Sequence, residues 1–294
     1  MLKGVFTALI TPFKKDTSLD RDGFDTLIDY QLKSDVDGIV VLGTTGEAPT
    51  LTEEEQKWIC KRAIELSKGK KQIWIGTGSY STELVINMTN EAKDIGADGA
   101  LIVTPYYNKP TQEGLYQHFR KVAESTKFPF ILYNIQGRTG QNLSTDTLKR
   151  LMDLNEMVGV KEASGNLNQI MDVIEMARPG FSVLSGDDNL TFPTIALGGH
   201  GIVSVLSNLI PDDIADLTRL AITGKMEQAK QIHYKLLPLF KGAFVETNPS
   251  PLKYLMKRSG LPAGPVRLPL VDVSRETEQK LDALWQPEIL ISQN

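Results

Sequence analysis

Short apolar runs alternate along the chain with longer stretches in which apolar residues recur at helical spacing. The first such stretch begins near Asp20 and carries Phe24, Leu27, Ile28 and Leu32 on one face. A helix is predicted after each short run. The short runs are rich in β-forming residues and predict eight strands, at 5–11, 37–43, 72–77, 98–104, 130–134, a run that ends at 161, 181–185 and 201–205.

The order of these elements favours a closed barrel. Eight strand-then-helix units occupy about 205 residues without a reversal of order, which predicts an α/β fold with parallel strands, a (β/α)8 TIM barrel. An open, doubly wound sheet is the alternative. After Pro211 only helical periodicity remains, at 212–223, 226–244, 251–259 and 277–284. We therefore expect a barrel over 1–224 and a C-terminal helical subdomain over 225–294.

The sixth strand carries a lysine at its end. The run 157–161 is apolar until Lys161, and a buried strand seldom ends on an unpaired ammonium group, because burial of the charge is costly or drives the proton off. A neutral lysine is a nucleophile, so one interpretation is that Lys161 forms a Schiff base with a carbonyl substrate. The alternative is a structural lysine that reaches solvent or pairs with Glu162.

Polar residues follow several other strands, where barrel active sites lie. The run 43–47 (Gly-Thr-Thr-Gly-Glu) combines glycines with the hydroxyls of Thr44 and Thr45, which suits a carboxylate but is also typical of an ordinary turn. Tyr107 and Tyr133 are phenols at strand ends that Thr44 could join in a proton relay, although such tyrosines often only cap the core. Arg138, in a flexible loop after the fifth strand, is a candidate for binding a second carboxylate.

Composition narrows the function classes. The 294-residue chain has 23% charged residues and a net charge of −4, which disfavours nucleic acid as a partner. We find no signal peptide and no run of 18 uncharged apolar residues, and the single cysteine, Cys60, is expected to be a buried thiol in a cytoplasmic protein. Asp187 and Asp188 are expected to cap a helix that runs to residue 197. The three histidines are scattered, which disfavours a zinc-dependent aldolase.

Together these motifs resemble the dihydrodipicolinate synthase family, whose members are class I pyruvate-dependent lyases and aldolases. The resemblance extends over essentially the whole chain. The motifs that carry it are 43–47 (GTTGE), 106–110 (YYNKP), 133–134 (YN), 137–140 (GRTG), 159–164 (GVKEAS), 201–204 (GIVS) and 248–249 (NP).

The resemblance implies a (β/α)8 barrel, a homotetramer and no cofactor or metal. It also assigns the site. Lys161 would form the imine with pyruvate, Tyr133 would be the general acid/base, and Thr44 would connect it to Tyr107, supplied by a neighbouring subunit. The substrate contacts implied by the resemblance are Thr45 on the pyruvate carboxylate, Gly186 and Val203 in the pyruvate pocket, and Arg138 on the second substrate.

The Arg-Thr-Gly sequence at Arg138 favours the synthase branch of this family. The implied reaction is condensation of pyruvate with L-aspartate 4-semialdehyde to 4-hydroxy-tetrahydrodipicolinate, in the diaminopimelate route to lysine. The alternatives are an N-acetylneuraminate lyase or a 2-keto-3-deoxygluconate aldolase on the same barrel, and a non-catalytic pyruvate-sensing barrel. The intact set of strand-end residues disfavours a non-catalytic protein.

Two departures from the family pattern concern substrate affinity and regulation. Gln136 stands where the family usually has proline, which we expect to loosen the arginine loop. Lysine-inhibited members carry histidine, asparagine and glutamate where this chain has Glu53, Tyr80 and Leu84, although Tyr106 is retained. The resemblance therefore implies weak or absent feedback inhibition by lysine.

Overall fold

The computed structural model describes residues 1–285 as an eight-stranded parallel barrel. Each strand pairs with the next one in sequence, and β8 closes the barrel by pairing with β1. The predicted barrel is thereby confirmed, and the open doubly wound sheet is excluded. The strands are β1 Gly4–Ala8, β2 Gly38–Val41, β3 Gln72–Gly76, β4 Gly99–Val103, β5 Phe130–Asn134, β6 Met157–Glu162, β7 Ser182–Ser185 and β8 Gly201–Ser204.

Helices connect consecutive strands and continue after the barrel. The helices of the barrel region are α1 Arg21–Lys33, α2 Glu53–Ser67, α3 Thr82–Asp94, α4 Gln112–Thr126, the short α5 Gln136–Thr139, α6 Thr145–Leu151, α7 Leu167–Glu175, α8 Thr191–Ala196 and α9 Pro211–Ile222. The later helices are α10 Met226–Gly242, α11 Ser250–Arg258 and α12 Arg275–Leu284. Short 3-10 turns lie at Ala48–Thr50, Asp188–Leu190 and Leu206–Asn208.

Local capping explains where several helices begin. Asp20 accepts a hydrogen bond from Gly23 N, and α1 starts at the next residue, as the periodicity predicts. Thr52 and Glu55 form a reciprocal capping box at the start of α2. The first strand is shorter than predicted because Ile10 N donates to the Asn208 side chain instead of to a neighbouring strand.

The predicted capping by Asp187 and Asp188 is wrong. Neither carboxylate accepts a hydrogen bond at the start of α8, which begins only at Thr191. The Asp188 carboxylate instead accepts hydrogen bonds from Ser204 Oγ and Val205 N, at 2.5 Å and 3.0 Å. Asp188 therefore fixes the end of β8 rather than the start of α8.

Large side chains fill the barrel interior where small residues leave room. A Cβ atom on Gly99 would lie 2.2 Å from the Trp74 ring, and one on Gly38 would lie 2.6 Å from the Phe6 ring. The two rings meet edge to face, with centroids 6.5 Å apart. This packing closes the centre of the barrel and leaves the carboxyl ends of the strands as the place for an open cavity.

The helices that follow residue 224 pack against the end of the barrel domain. Helix α10 contacts α9, and α12 contacts both α10 and α11. The division at residue 224 stays a prediction, and the last nine residues of the proposed subdomain, 286–294, lie outside the described residues. Among residues 1–285, no helix has the length and apolar character that crossing a bilayer requires.

Candidate active site

A cavity of about 250 Å³ opens at the carboxyl ends of the strands. It brings together residues from loops that are far apart in sequence, as the barrel geometry predicts. Six of the eight predicted site residues line it: Thr44, Thr45, Tyr133, Arg138, Lys161 and Gly186. Tyr107 and Val203 do not.

Lys161 extends into this cavity from β6 and is only 5% exposed. Its Nζ atom lies 4.1 Å from the centroid of the Tyr133 ring. Burial lowers the pKa of the amine to about 8, against the smaller opposing effect of Asp187 and Asp188. Neither structural alternative for this lysine holds, because the amine is buried and the Glu162 carboxylate is occupied by Asn134 and Ser164.

Gly186 makes room for the lysine side chain. A Cβ atom at this position would lie 2.9 Å from Lys161 Cε and 2.6 Å from Ala163 Cβ. The glycine is therefore required where β7 ends against β6, and its predicted place in the site follows from this close approach.

Tyr133 lies beside the lysine because the two residues are register partners on β5 and β6. Burial raises the pKa of the phenol well above its usual range, while Arg138 and a hydrogen bond with Thr44 act to lower it. The contact with Thr44 provides the first link of the predicted proton relay. A protonated phenol at neutral pH is able to donate a proton and to receive it back from a reacting group.

Thr45 is 3% exposed and adjoins Thr44 in the turn after β2. Its Oγ1 atom accepts a hydrogen bond of 3.0 Å from Asn248 Nδ2. A second hydrogen bond fixes the backbone of this turn, because Thr11 Oγ1 donates to Gly46 O at 2.7 Å. The hydroxyl groups of Thr44 and Thr45 are therefore carried by a fixed backbone, as binding of an anion requires.

Arg138 lies on the short helix α5, which corrects the expectation of a flexible loop there. The helix is stabilised by hydrogen bonds from Thr139 N and Gly140 N to Ile135 O and Gln136 O. Arg138 Nη2 donates to Asn248 O at 3.2 Å, which leaves the rest of the guanidinium group available to a ligand in the cavity. Gln136 begins the helix, and its effect on substrate affinity stays a prediction.

Tyr107 is 89% exposed, has a positive φ of 70° and does not line the cavity of its own chain. Val203 is fully buried in the barrel interior together with Tyr133 and Leu184. At β8 the cavity wall is formed by Val205 instead. The roles predicted for Tyr107 and Val203 stay predictions.

Among the polar residues that line the cavity, Asp187 and Asn248 were given no role in the site by sequence reasoning. Burial raises the pKa of Asp187 to about 6, although the nearby Lys161 lowers it. The position of Asp187 directly after β7 is typical of a site residue, but the sequence analysis interpreted Asp187 as a helix cap. Asn248 lies outside the strand-and-helix repeat and 203 residues from Thr45, so its one sequence signal was the motif that it forms with Pro249, to which no role was assigned.

Three remaining features are the single cysteine, the absence of a metal site among the described residues, and a second cavity. Cys60 is buried, as predicted, and burial raises the pKa of its thiol to about 12. Within residues 1–285, no three His, Cys, Asp or Glu side chains converge in an arrangement that would hold a metal ion. A second cavity, of about 790 Å³, is lined by Glu53, Leu84 and Tyr106 among others.

Comparison with known proteins places these observations in one family. The model of the Dihydrodipicolinate synthetase family matches residues 1–287. A 4-hydroxy-tetrahydrodipicolinate synthase from Protochlamydia amoebophila is 55% identical over 95% of this chain and 94% of its own length. One from Methanocaldococcus jannaschii is 46% identical over 96% of this chain and 97% of its own.

Solved structures give the same result for the fold. The crystal structure of dihydrodipicolinate synthase from Aquifex aeolicus superposes on this chain with a TM-score of 0.94 at 42% sequence identity. The match covers 96% of this chain and 97% of that one.

Proposed function

This chain belongs to the dihydrodipicolinate synthetase family, and from that membership we propose that Lys161 captures pyruvate as an imine at the base of the cavity. The reaction itself is that of 4-hydroxy-tetrahydrodipicolinate synthases, a carbon–carbon bond-forming lyase reaction in the route to diaminopimelate and lysine. Its substrates are pyruvate and L-aspartate 4-semialdehyde. The proposal concerns which residues carry out each step.

One observation carries the proposal: a buried lysine amine with a pKa near 8 lies against a buried phenol in a cavity that both side chains line. At neutral pH a useful fraction of such an amine is neutral, whereas an exposed lysine is almost fully protonated. The neutral amine attacks the pyruvate ketone, and loss of water leaves a protonated imine. Tyr133 is placed to move the protons of this step.

The imine then serves as the electron sink, so the reaction needs no cofactor. Loss of a proton from the methyl group of pyruvate gives an enamine, whose carbon attacks the aldehyde of the second substrate. The new alkoxide takes up a proton, for which Tyr133 and Thr44 form the relay. The amino group of the former semialdehyde then attacks the imine carbon, which closes the ring and releases the Lys161 amine.

Two carboxylates have separate binding groups in this arrangement. Thr45 binds that of pyruvate, and Gly186 leaves room for the substrate beside the lysine. Arg138, on α5 after β5, binds the carboxylate of the semialdehyde. Its fixed position against Asn248 O supports a bidentate contact, which lysine could not reproduce.

We propose a homotetramer from the family membership, and the exposed Tyr107 supports contact between at least two copies of the chain. Tyr107 is 89% exposed, Tyr80 and Leu84 are 52% and 44% exposed, and a second copy of the chain would cover these large side chains. In such an assembly Tyr107 completes the relay of the neighbouring cavity. We propose the cytoplasm as the location, since the single, buried Cys60 suits a reducing compartment.

Borohydride reduction in the presence of pyruvate tests the central step. We expect a stable adduct on the peptide that contains Lys161, found by peptide mass mapping, and none in Lys161→Ala. Absence of the adduct, or its appearance on another lysine, would refute the proposed role. Turnover of the semialdehyde compared with sialic acid and 2-keto-3-deoxygluconate distinguishes the synthase from the other aldolases.

A further inference from the structure

Asn248 connects the two carboxylate-binding elements of the cavity. Its side-chain Nδ2 atom donates to Thr45 Oγ1 at 3.0 Å, and its backbone oxygen accepts from Arg138 Nη2 at 3.2 Å. The residue is 4% exposed and lines the cavity itself. It belongs to neither the strands nor the loops from which barrel active sites are usually built.

The direction of the hydrogen bond to Thr45 matters for the chemistry. A hydroxyl group has one hydrogen and two lone pairs, so acceptance of a bond from Asn248 occupies a lone pair and leaves the hydrogen free. That hydrogen is the only part of the side chain able to bind a carboxylate. Were the neighbour an acceptor, Thr45 would donate to it and lose the ability to bind an anion.

Burial of the Asn248 amide in the site costs free energy. Its Oδ1 atom is buried and accepts no hydrogen bond from any group within residues 1–285. Buried side-chain acceptors without a partner are uncommon, and a site that binds polar ligands is one place where they are retained.

A buried ion pair fixes the spacing between the two segments. Lys253, five residues after Asn248, pairs at 2.5 Å with Glu47, two residues after Thr45, and the two side chains are 1% and 0% exposed. Lys253 Nζ also donates to Pro265 O and lies over the Phe13 ring. Glu47 accepts a second bond from Arg267 N at 2.9 Å.

We infer that Asn248 is a positioning residue for pyruvate, which directs the hydroxyl hydrogen of Thr45 toward the carboxylate of the keto acid. The inference rests on the proposed role of Thr45 in binding that carboxylate. Asn248 acts through Thr45 and takes no part in proton transfer. Its removal is therefore expected to change the KM for pyruvate and to leave kcat almost unchanged.

A double-mutant cycle between the two residues tests this inference. We expect Asn248→Ala to raise the KM for pyruvate about tenfold, as loss of one hydrogen bond to a charged ligand would, with kcat within about twofold. Asn248→Asp is expected to raise the KM for pyruvate further, because a carboxylate accepts the Thr45 hydrogen and repels pyruvate. In the Thr45→Val background, which has no hydroxyl to direct, Asn248→Ala is expected to change KM less than about twofold.

Ser250→Ala is the matched control, since it removes a partly buried hydrogen bond to Val271 O from the same segment without touching the cavity. It should leave the KM for pyruvate unchanged while thermal unfolding reports any loss of stability. If Asn248→Ala does not fold, Asn248→Leu, which has nearly the same size and adds neither a charge nor a hydrogen-bonding group, takes its place in the cycle.

The outcomes separate the inference from the proposed function. The positioning role is overturned if Asn248→Ala leaves KM unchanged, or if it raises KM equally in the wild-type chain and in the Thr45→Val variant. The role of Thr45 stands in both cases. An unchanged KM in Thr45→Val alone overturns the role of Thr45, and the positioning role with it. Only a rise that depends on the hydroxyl supports the inference.

Discussion

The amine of Lys161 determines the pH at which the enzyme captures pyruvate. The neutral form is the nucleophile, so the rate of imine formation is expected to rise with pH and to level off above the pKa, near pH 8. Initial rates of borohydride trapping at one subsaturating pyruvate concentration, measured from pH 6 to pH 10, check this. A midpoint near the ordinary lysine value would show that burial does not lower the pKa of the amine.

Asp187 is expected to keep the midpoint of the pH profile of trapping at a higher pH than burial of the Lys161 amine alone would give. Its negative charge favours the ammonium form of Lys161, so it raises the pKa of the amine. Asp187→Asn removes the charge at nearly constant size, and the midpoint of the trapping profile should move to lower pH. No movement, or a movement to higher pH, would contradict the proposed electrostatic contact.

Gly186 should not tolerate a side chain. In Gly186→Ala the new Cβ atom would lie within 3 Å of both Lys161 Cε and Ala163 Cβ, so the lysine must leave its position over the Tyr133 ring. We expect trapping to slow by about tenfold or more, as misplacement of a reacting group does. Normal trapping in a normally folded variant would show that the lysine has other room.

Among individual residues, the sequence predicted the site residues that lie at strand ends and failed for those that lie elsewhere. Lys161, Tyr133 and Thr45 each follow or end a predicted strand, so the barrel geometry alone brings them together. Asp187 also does so, but an aspartate before a helix is more often a cap, and that rule gave the wrong role. Asn248 depends on a contact across 203 residues, which no local pattern encodes.

At the scale of elements, the segment after α10 is attached to the turn after β2 by the Glu47–Lys253 pair. Removal of one partner from a buried pair leaves an uncompensated charge, so Lys253→Met should destabilise the fold by about 3–5 kcal/mol. The double variant Glu47→Gln with Lys253→Met should recover much of that loss. Urea unfolding of the three proteins measures it, and equal losses in the single and double variants would exclude the proposed coupling.

The elements themselves were predictable to within a few residues because two regular signals define them. Short apolar runs rich in β-forming residues located all eight strands, and helical spacing of apolar residues located helices such as the one that begins near Asp20. The short helix at Arg138 escaped prediction because four residues carry too little periodicity. A tertiary contact with Asn248 adds to its own backbone hydrogen bonds, and the sequence pattern does not reveal that contact.

At the scale of the whole molecule, lysine is expected to inhibit weakly or not at all. The second cavity is lined by Glu53 and Leu84, at two of the positions where lysine-inhibited members of the family carry histidine and glutamate. Glu83 adjoins Leu84 and could substitute only after a small shift of α3. Initial rates with lysine added check this, and half-inhibition below about 1 mM would show that the remaining contacts suffice.

Tyr107 allows a test of assembly through activity. In its own chain this phenol is exposed and lies outside the cavity, so a relay that needs it must obtain it from a neighbour. Tyr107→Phe and Lys161→Ala should each be nearly inactive as separate proteins, because one lacks the relay and the other lacks the nucleophile.

Co-expression of the two variants should restore activity if Tyr107 crosses between subunits. A mixed pair combines the lysine of the first variant with the tyrosine of the second, which gives one complete site of two. Random equal mixing makes half of all pairs mixed, so about a quarter of normal activity is expected. No recovery in mixed assemblies, identified by mass, would mean that each chain uses its own Tyr107 or none at all.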